Sequence, residues 1–229
     1  MAMLGTVGSN LTRYGCPACH CNDRLRHLWL YMDKTGLATR LAGSDVLHLA
    51  PEPGLERIIA DLEPATYVRG DLNPTQPGHQ RLDVESLPFA DETFDLAICN
   101  HVLEHVNSPM RALHELFRCL RPGGLLIAQT PFAPAMHNTL ELHERPDPQT
   151  AHLLFGQEDH VRLFGGDITR YFHAAGFEGE LLQHTTLLPD FSPTEYGCNE
   201  HEPFFVFWKP ATHAAERANR TAGEAATVC

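Results

Sequence analysis

Between Thr93 and Asn100 the chain reads TFDLAICN, an almost unbroken apolar run of strand length. A strand with one wet face alternates apolar and polar residues, whereas a run like this one is buried on both faces. It must therefore sit inside a sheet with helices packed above and below it. The neighbouring segments supply both kinds of element. Asp45 to Leu49 (DVLHL) reads as a strand, followed by a turn over Ala50 to Gly54 and then a helix. ATYVRGDL gives a strand ending at Asp71, and HQRLDVESLPF gives another ending near Asp83. Met110, Leu113, Leu116, Phe117 and Leu120 form a helical stripe stopped by RPGG, and LLIAQTP is the next strand. Strands alternating with helices predict an α/β chain built on a doubly wound, mostly parallel sheet.

Composition narrows the class. At 229 residues, with 43% hydrophobic and 20% charged residues, the chain has the make-up of a globular enzyme. A formal charge of −12 argues against nucleic acid and against an anionic membrane surface, since both favour a basic face. No stretch approaches the ~20 apolar residues that span a bilayer. The opening MAMLGTVGSNLTRYGC has no charged region followed by an apolar run, so no secretory signal is expected. Seven cysteines, with Cys99 and Cys119 in core elements, fit reduced thiols and a cytoplasmic location. No internal repeat is present.

Two further segments frame this core. Ahead of it, CPACHC (Cys16 to Cys21) precedes Asn22, a cap for a helix with Leu25, Leu28, Trp29 and Met32 on one face. Arg24, His27, Tyr31 and Lys34 occupy the other face. After it, residues 132–166 exceed a simple connection and carry His137, His143, His152 and His160 among prolines, as a lid or an inserted subdomain would. Asp167 then caps a helix that Gly176 closes, and EGELLQHTTLL and EPFFVFWK read as a final pair of strands.

Two blocks make the order of segments specific: LDVESLPFADETFDLAICNHVLEHV (Leu82 to Val106) and ELFRCLRPGGLLIAQTP (Glu115 to Pro131). In that order and spacing they resemble the class I S-adenosylmethionine-dependent methyltransferases, of the type 11 group. The resemblance runs from about Asp45 to Lys209. It implies a Rossmann-like seven-stranded sheet whose last strand is antiparallel, with S-adenosyl-L-methionine across the carboxyl ends of the strands. It divides the chain into a segment 1–43 (arm, CPACHC and helix), a methyltransferase domain 44–210 and a tail 211–229 expected to be disordered. Carried over by position, Ala50, Glu52 and Gly54 would face the methionine part. Asp71 would take the ribose hydroxyls with Leu72 beside it, Asp83 and Val84 would flank the adenine, and Asn100 and His101 would line the methyl-transfer centre.

The turn departs from the family's pattern. His48 stands where relatives carry a strand acid, and Ala50 and Glu52 stand where they carry glycines. Alanine is tolerable there provided φ stays negative. A carboxylate at Glu52 would repel a pyrophosphate but suits the cofactor's ammonium, so Glu52 is expected to replace the missing acid. Under the same resemblance, His160 is the expected base or substrate contact, His101 a second catalytic residue, and Arg162 an anchor for a substrate carboxylate or phosphate.

Metal is not expected. His101 and His105, at i and i+4 on one helix face, lack a third ligand, and the C-x-x-C pair at Cys16 and Cys19 lacks a second pair unless Cys198 and His201 approach it. The expected function is methyl transfer to a small-molecule O, N or S acceptor, without nucleic-acid or membrane partners and compatible with a homodimer. A non-catalytic binding protein on the same fold, and an enzyme using the same cofactor for other chemistry, stay open as alternatives.

Overall fold

The computed structural model describes residues 15–17 and 21–211. Along the chain run α1 (Asp23–Lys34), α2 (Leu37–Leu41), β1 (Asp45–Leu49), α3 (Pro53–Asp61), β2 (Thr66–Asp71), β3 (Gln80–Arg81), β4 (Phe94–Cys99) and α4 (Pro109–Cys119). There follow β5 (Leu120–Ile127), β6 (Leu140–Glu141), α5 (Pro148–Phe155), β7 (Arg162–Leu163), α6 (Ile168–Ala174), β8 (Glu178–Leu182), α7 (His184–Leu187), α8 (Pro193–Tyr196) and β9 (Phe204–Trp208).

Seven strands form one sheet in the order β3-β2-β1-β4-β5-β9-β8, and β9 alone runs antiparallel to its neighbours. The expected architecture is therefore present. The apolar runs are continuous because successive residues feed opposite layers. On β1, Leu47 and Leu49 face the layer of α4 and α6, while Val46 faces the layer of α1 to α3. On β4, Ala97 and Cys99 take the first side, Leu96 and Ile98 the second. Strand β9 repeats this with Phe205 and Phe207 against Phe204 and Val206. Phe207 stacks flat on Phe172 of α6 with centroids 3.9 Å apart.

Four local readings change. First, β3 is only two residues long, so most of HQRLDVESLPF is loop. Second, RPGG does not separate helix from strand: α4 passes at Leu120 straight into β5, where Lys209 N donates to Gly124 O and Gly123 N donates to Lys209 O. Third, the second face of α1 is not a wet one. His27 and Tyr31 are buried as deeply as Leu28 and Met32. Tyr31 donates to the Glu202 carbonyl, and His27 pairs with His184 at 2.7 Å. Burial pushes the Glu202 carboxyl up to about 7, and burial, with a smaller contribution from His184, pushes His27 down to about 3, so burial disfavours the charged form of both groups. Fourth, residues 100–107 form turns rather than a helix, and His101 has φ of 53°.

The segment 132–166 carries β6, α5 and β7 and a small core of its own, Ala133, Ala151, Phe155 and Leu163. A β-bridge between Phe132 and Phe164 closes its base. Among the described residues no helix is long and apolar enough to cross a membrane. The first fourteen residues, Cys19, His20 and the tail after Ala211 lie outside the described residues.

Candidate cofactor site

Strand order reverses between β1 and β4, since β1 leads outward to β2 and β4 leads the other way to β5. In open α/β sheets the crevice beyond the carboxyl ends at such a point is where ligands bind. Two cavities occupy it here, and Ala50 and His101 are walls of both.

The larger, of about 460 Å³, lies over β2 and the loop after β3. Asp71, Leu72, Asp83, Val84, Val102 and His105 are among its walls. Asp71 ends β2, where its Oδ1 accepts from Asn73 N at 2.7 Å and so fixes the carboxylate in a turn. Asp83 does the same with Glu85 N at 2.9 Å. Glu85 in turn accepts from the backbone N–H groups of Asn107 and Ser108, tying this loop to the turns after β4. Leu72 is 53% exposed, a large apolar side chain on the cavity rim.

The smaller cavity, of about 160 Å³, lies under α1 and is lined by Arg24, Leu25, Glu52, Asn100 and Gln129. Glu52 is the residue preceding α3, but it makes no capping bond. Its Oε2 sits 3.2 Å from His48 Nε2 and its Oε1 3.5 Å from Asn100 Nδ2. A carboxylate only accepts, so His48 Nε2 carries the hydrogen, and His48 Nδ1 accepts from the Tyr67 hydroxyl at 2.8 Å. The fully buried His48 thus aims Glu52 into the cavity. Burial raises the Glu52 pKa, but the His48 hydrogen bond and the nearby His48 and His101 rings outweigh it and hold the carboxyl below its ordinary value. Opposite in charge, Arg24 leaves its buried Nε without a partner among the described residues, while its Nη1 meets His101 Nδ1 at 3.2 Å. An arginine only donates, so that contact makes Nδ1 the acceptor and Nε2 the hydrogen-bearing nitrogen of His101.

Five expectations shift. Ala50 has φ of 47°, so the negative φ on which its tolerance rested is not observed; the turn is left-handed and carries an alanine. Strained backbone of this kind gathers at ligand sites, and His101 is its second instance here. Gly54 borders neither cavity: a Cβ on it would lie 2.4 Å from Leu25 Cδ2, so its bareness admits α1. Gly54→Ala is expected to cost about 1 kcal/mol net, overpacking against Leu25 being partly offset by better helix propensity. Thermal denaturation checks it, and an unchanged midpoint would show that α1 does not depend on this contact.

The remaining three concern the lid and the turns after β4. Arg162 is 1% exposed and cannot anchor a substrate. Its guanidinium donates to the carbonyls of Leu103, Val106 and Asn107 and pairs with Glu141 at 2.7 Å. His160 is buried, donates from Nδ1 to the Phe155 carbonyl at 3.1 Å, and lines neither cavity. Burial above all holds its pKa below the ordinary value. His101 and His105 do not share a helix face, because no helix is there.

Arg24, Gln129 and Arg145 line the cavities without having been singled out. The alternation of charged and apolar positions on α1 marked Arg24 as surface, and only the packing of α1 over the β1–β4 crevice turns it inward. In the cysteine segment, Cys16 N donates to Cys21 O, and Arg26 binds Cys21 O together with the carbonyls of Tyr196 and Gly197. Cys198 is buried nearby and donates its thiol to Tyr196 O, while His201 is exposed.

Residues 42–128 match the family model described as a methyltransferase domain. Over 39% of its length the chain is 34% identical to a ubiquinone/menaquinone biosynthesis C-methyltransferase, UbiE, of Roseobacter denitrificans, covering 37% of that protein. Over 44% of its length it is 32% identical to a malonyl-[acyl-carrier protein] O-methyltransferase of Erwinia billingiae, covering 44% of it. The chain thus spans less than half the length of these curated relatives. Its fold matches the crystal structure of the [4+2]-cyclase SpnF with a TM-score of 0.53 at 17% identity, over 83% of this chain and 82% of that one. With the strand order, the crevice and the matched β1–β5 core in agreement, residues 42–128 form a methyltransferase domain similar to those of S-adenosylmethionine-dependent methyltransferases.

Proposed function

We propose that this chain transfers the methyl group of S-adenosylmethionine to a small-molecule acceptor held where the two cavities meet. The observation that carries this reading is the pairing of unlike cavities. The larger sets the carboxylates of Asp71 and Asp83 beside apolar walls, with Arg145 also in its lining, and the smaller sets Glu52 against Arg24. The donor set fits the cofactor. Asp71 suits a ribose diol that can only donate to it, and Leu72, Val84 and Val102 suit a flat base with Asp83 at its amine. Glu52 suits an ammonium, and the unpartnered Nε of Arg24 suits a carboxylate. The larger cavity has the size of a small-molecule site.

When bound, S-adenosylmethionine supplies an electrophilic methyl on its sulfonium. The chain's part is to hold the acceptor in line at ~3 Å and to exclude water. His101 stands at the junction with its hydrogen on Nε2, so it donates to an acceptor rather than removing its proton. Asn100 is fixed behind it, its Oδ1 accepting from Gln129 N at 3.0 Å. The net charge of −12 favours a small metabolite over nucleic acid as the acceptor.

Calorimetry with S-adenosylmethionine, followed by incubation with a metabolite pool and detection of S-adenosylhomocysteine, tests the reading. Absence of cofactor binding would sink it, and binding without any product would move the function to other chemistry. Glu52→Gln keeps the size of the side chain and removes its charge. Its carboxylate is 30% exposed, so screening limits the effect to a roughly fivefold to tenfold weaker cofactor. Equal affinities would mean that Glu52 does not hold the ammonium.

A further inference from the structure

The turns after β4 and the end of the lid bring together three side chains to which the cofactor reading assigns no role, although one of them, His105, borders the larger cavity. Glu104, His105 and His160 each present a ligand atom, and these atoms all lie within 4.8 Å of one another. The sequence placed His101 and His105 as a pair lacking a third partner. The fold replaces that pair with a different trio, because Val161 N donates to Glu104 O and Arg162 clamps the Leu103 to Asn107 turn from the lid.

Each member is prepared for a cation. Glu104 is 1% exposed, and its Oε2 has no partner among the described residues. Its other oxygen is 3.6 Å from His101 Nδ1, beyond hydrogen-bond reach. A buried carboxylate oxygen without a donor is costly, and a cation beside it removes that cost. His160 donates its Nδ1 hydrogen to the Phe155 carbonyl, which leaves Nε2 with a lone pair. His105 Nδ1 lies 3.3 Å from both the carbonyl and the carboxylate of Asp159, so that nitrogen is likewise the donor and Nε2 is left bare. A backbone carbonyl or carboxylate on the far nitrogen is how metal-bound imidazoles are oriented. The two rings meet edge to face with centroids 4.7 Å apart.

We propose that Glu104, His105 and His160 form a binding site for one divalent first-row transition-metal ion, zinc foremost. Two imidazoles and one carboxylate are the ligands such ions prefer over calcium or magnesium. Three protein ligands leave a coordination position open, as in reactive rather than structural zinc sites. His105 is also a wall of the larger cavity, so the ion would sit at the edge of that cavity, not in a sealed core. The site does not depend on methyl transfer being the activity.

The test uses the full-length chain, stripped with EDTA and titrated with Co²⁺, whose spectrum reports its ligands. The expected result is one equivalent bound with visible d–d bands and no thiolate-to-cobalt charge transfer. Glu104→Gln, which keeps shape, and His160→Gln should each weaken binding at least about tenfold, while Cys198→Ser should leave it unchanged. Circular dichroism establishes which variants are folded, and if His160→Gln is not, the isosteric Glu104→Gln decides. Absence of cobalt binding, a charge-transfer band as the only signal, or affinity unmoved by Glu104→Gln would overturn the proposal.

Discussion

Replacing Arg162 with alanine is expected to destabilise the protein by about 4 kcal/mol, the largest loss of any single lid residue. The guanidinium is buried and donates to three backbone carbonyls in one turn, at 2.8, 2.6 and 3.1 Å. Those carbonyls belong to Leu103, Val106 and Asn107, in a stretch with no helix or strand to satisfy them otherwise. Alanine would leave them facing a void, along with Glu141, which keeps access to water. For a chain of this size such a loss lowers the thermal midpoint by about 10 °C. Arg162→Lys should recover only part, since an ammonium cannot reproduce the planar fork. Chemical denaturation measures both variants. A loss under about 1 kcal/mol for the alanine variant, with a raised KM instead, would return Arg162 to the substrate-anchoring role that its sequence context suggests.

That difference between lid residue and clamp shows what the linear sequence carries. The strands were legible because each alternates its apolar residues between two helix layers, as Leu47 and Val46 do on β1, and a run apolar throughout has few other homes. The carboxylates closing β2 and following β3 were placed by the family resemblance, because an aspartate after a strand reads by itself as a turn residue. What was not legible depends on packing between segments far apart in the chain. Arg162 reaches 55 to 59 residues back to its carbonyls. His160 meets Glu104 and His105 only because the lid folds onto the β4 loop. The left-handed backbone at Ala50 and His101 had no signal at all, since neither residue type favours positive φ strongly enough to announce it. The spacing of His101 and His105 even favoured a helix, which the turn overrode. Arg24 lay hidden for the opposite reason: its charge pattern described a solvent face, whereas His27 and Tyr31 on that face of α1 are buried.

Asp71→Ala is expected to weaken S-adenosylmethionine about a hundredfold while leaving the fold intact. The carboxylate stands at the carboxyl end of β2 on the wall of the larger cavity, half-buried, with no cation paired to it among the described residues. Two hydroxyl donors on one ionised acceptor amount to about 3 kcal/mol after exchange with water, which is about a hundredfold in affinity. Part of any loss could come from the turn, since Asp71 Oδ1 also accepts from Asn73 N. Asp71→Asn separates the two contributions. Its amide oxygen still accepts from Asn73, but its nitrogen donates where the second hydroxyl must donate, so the turn survives and the ribose contact does not. An affinity for the asparagine variant close to that of alanine assigns the effect to the ribose, whereas near-normal binding assigns it to the turn. Calorimetry with S-adenosylhomocysteine, which is chemically stable over the titration, gives both values. An alanine variant within about threefold of wild type would remove Asp71 from the cofactor site. The larger cavity would then need another ligand to account for Asp71 and Asp83.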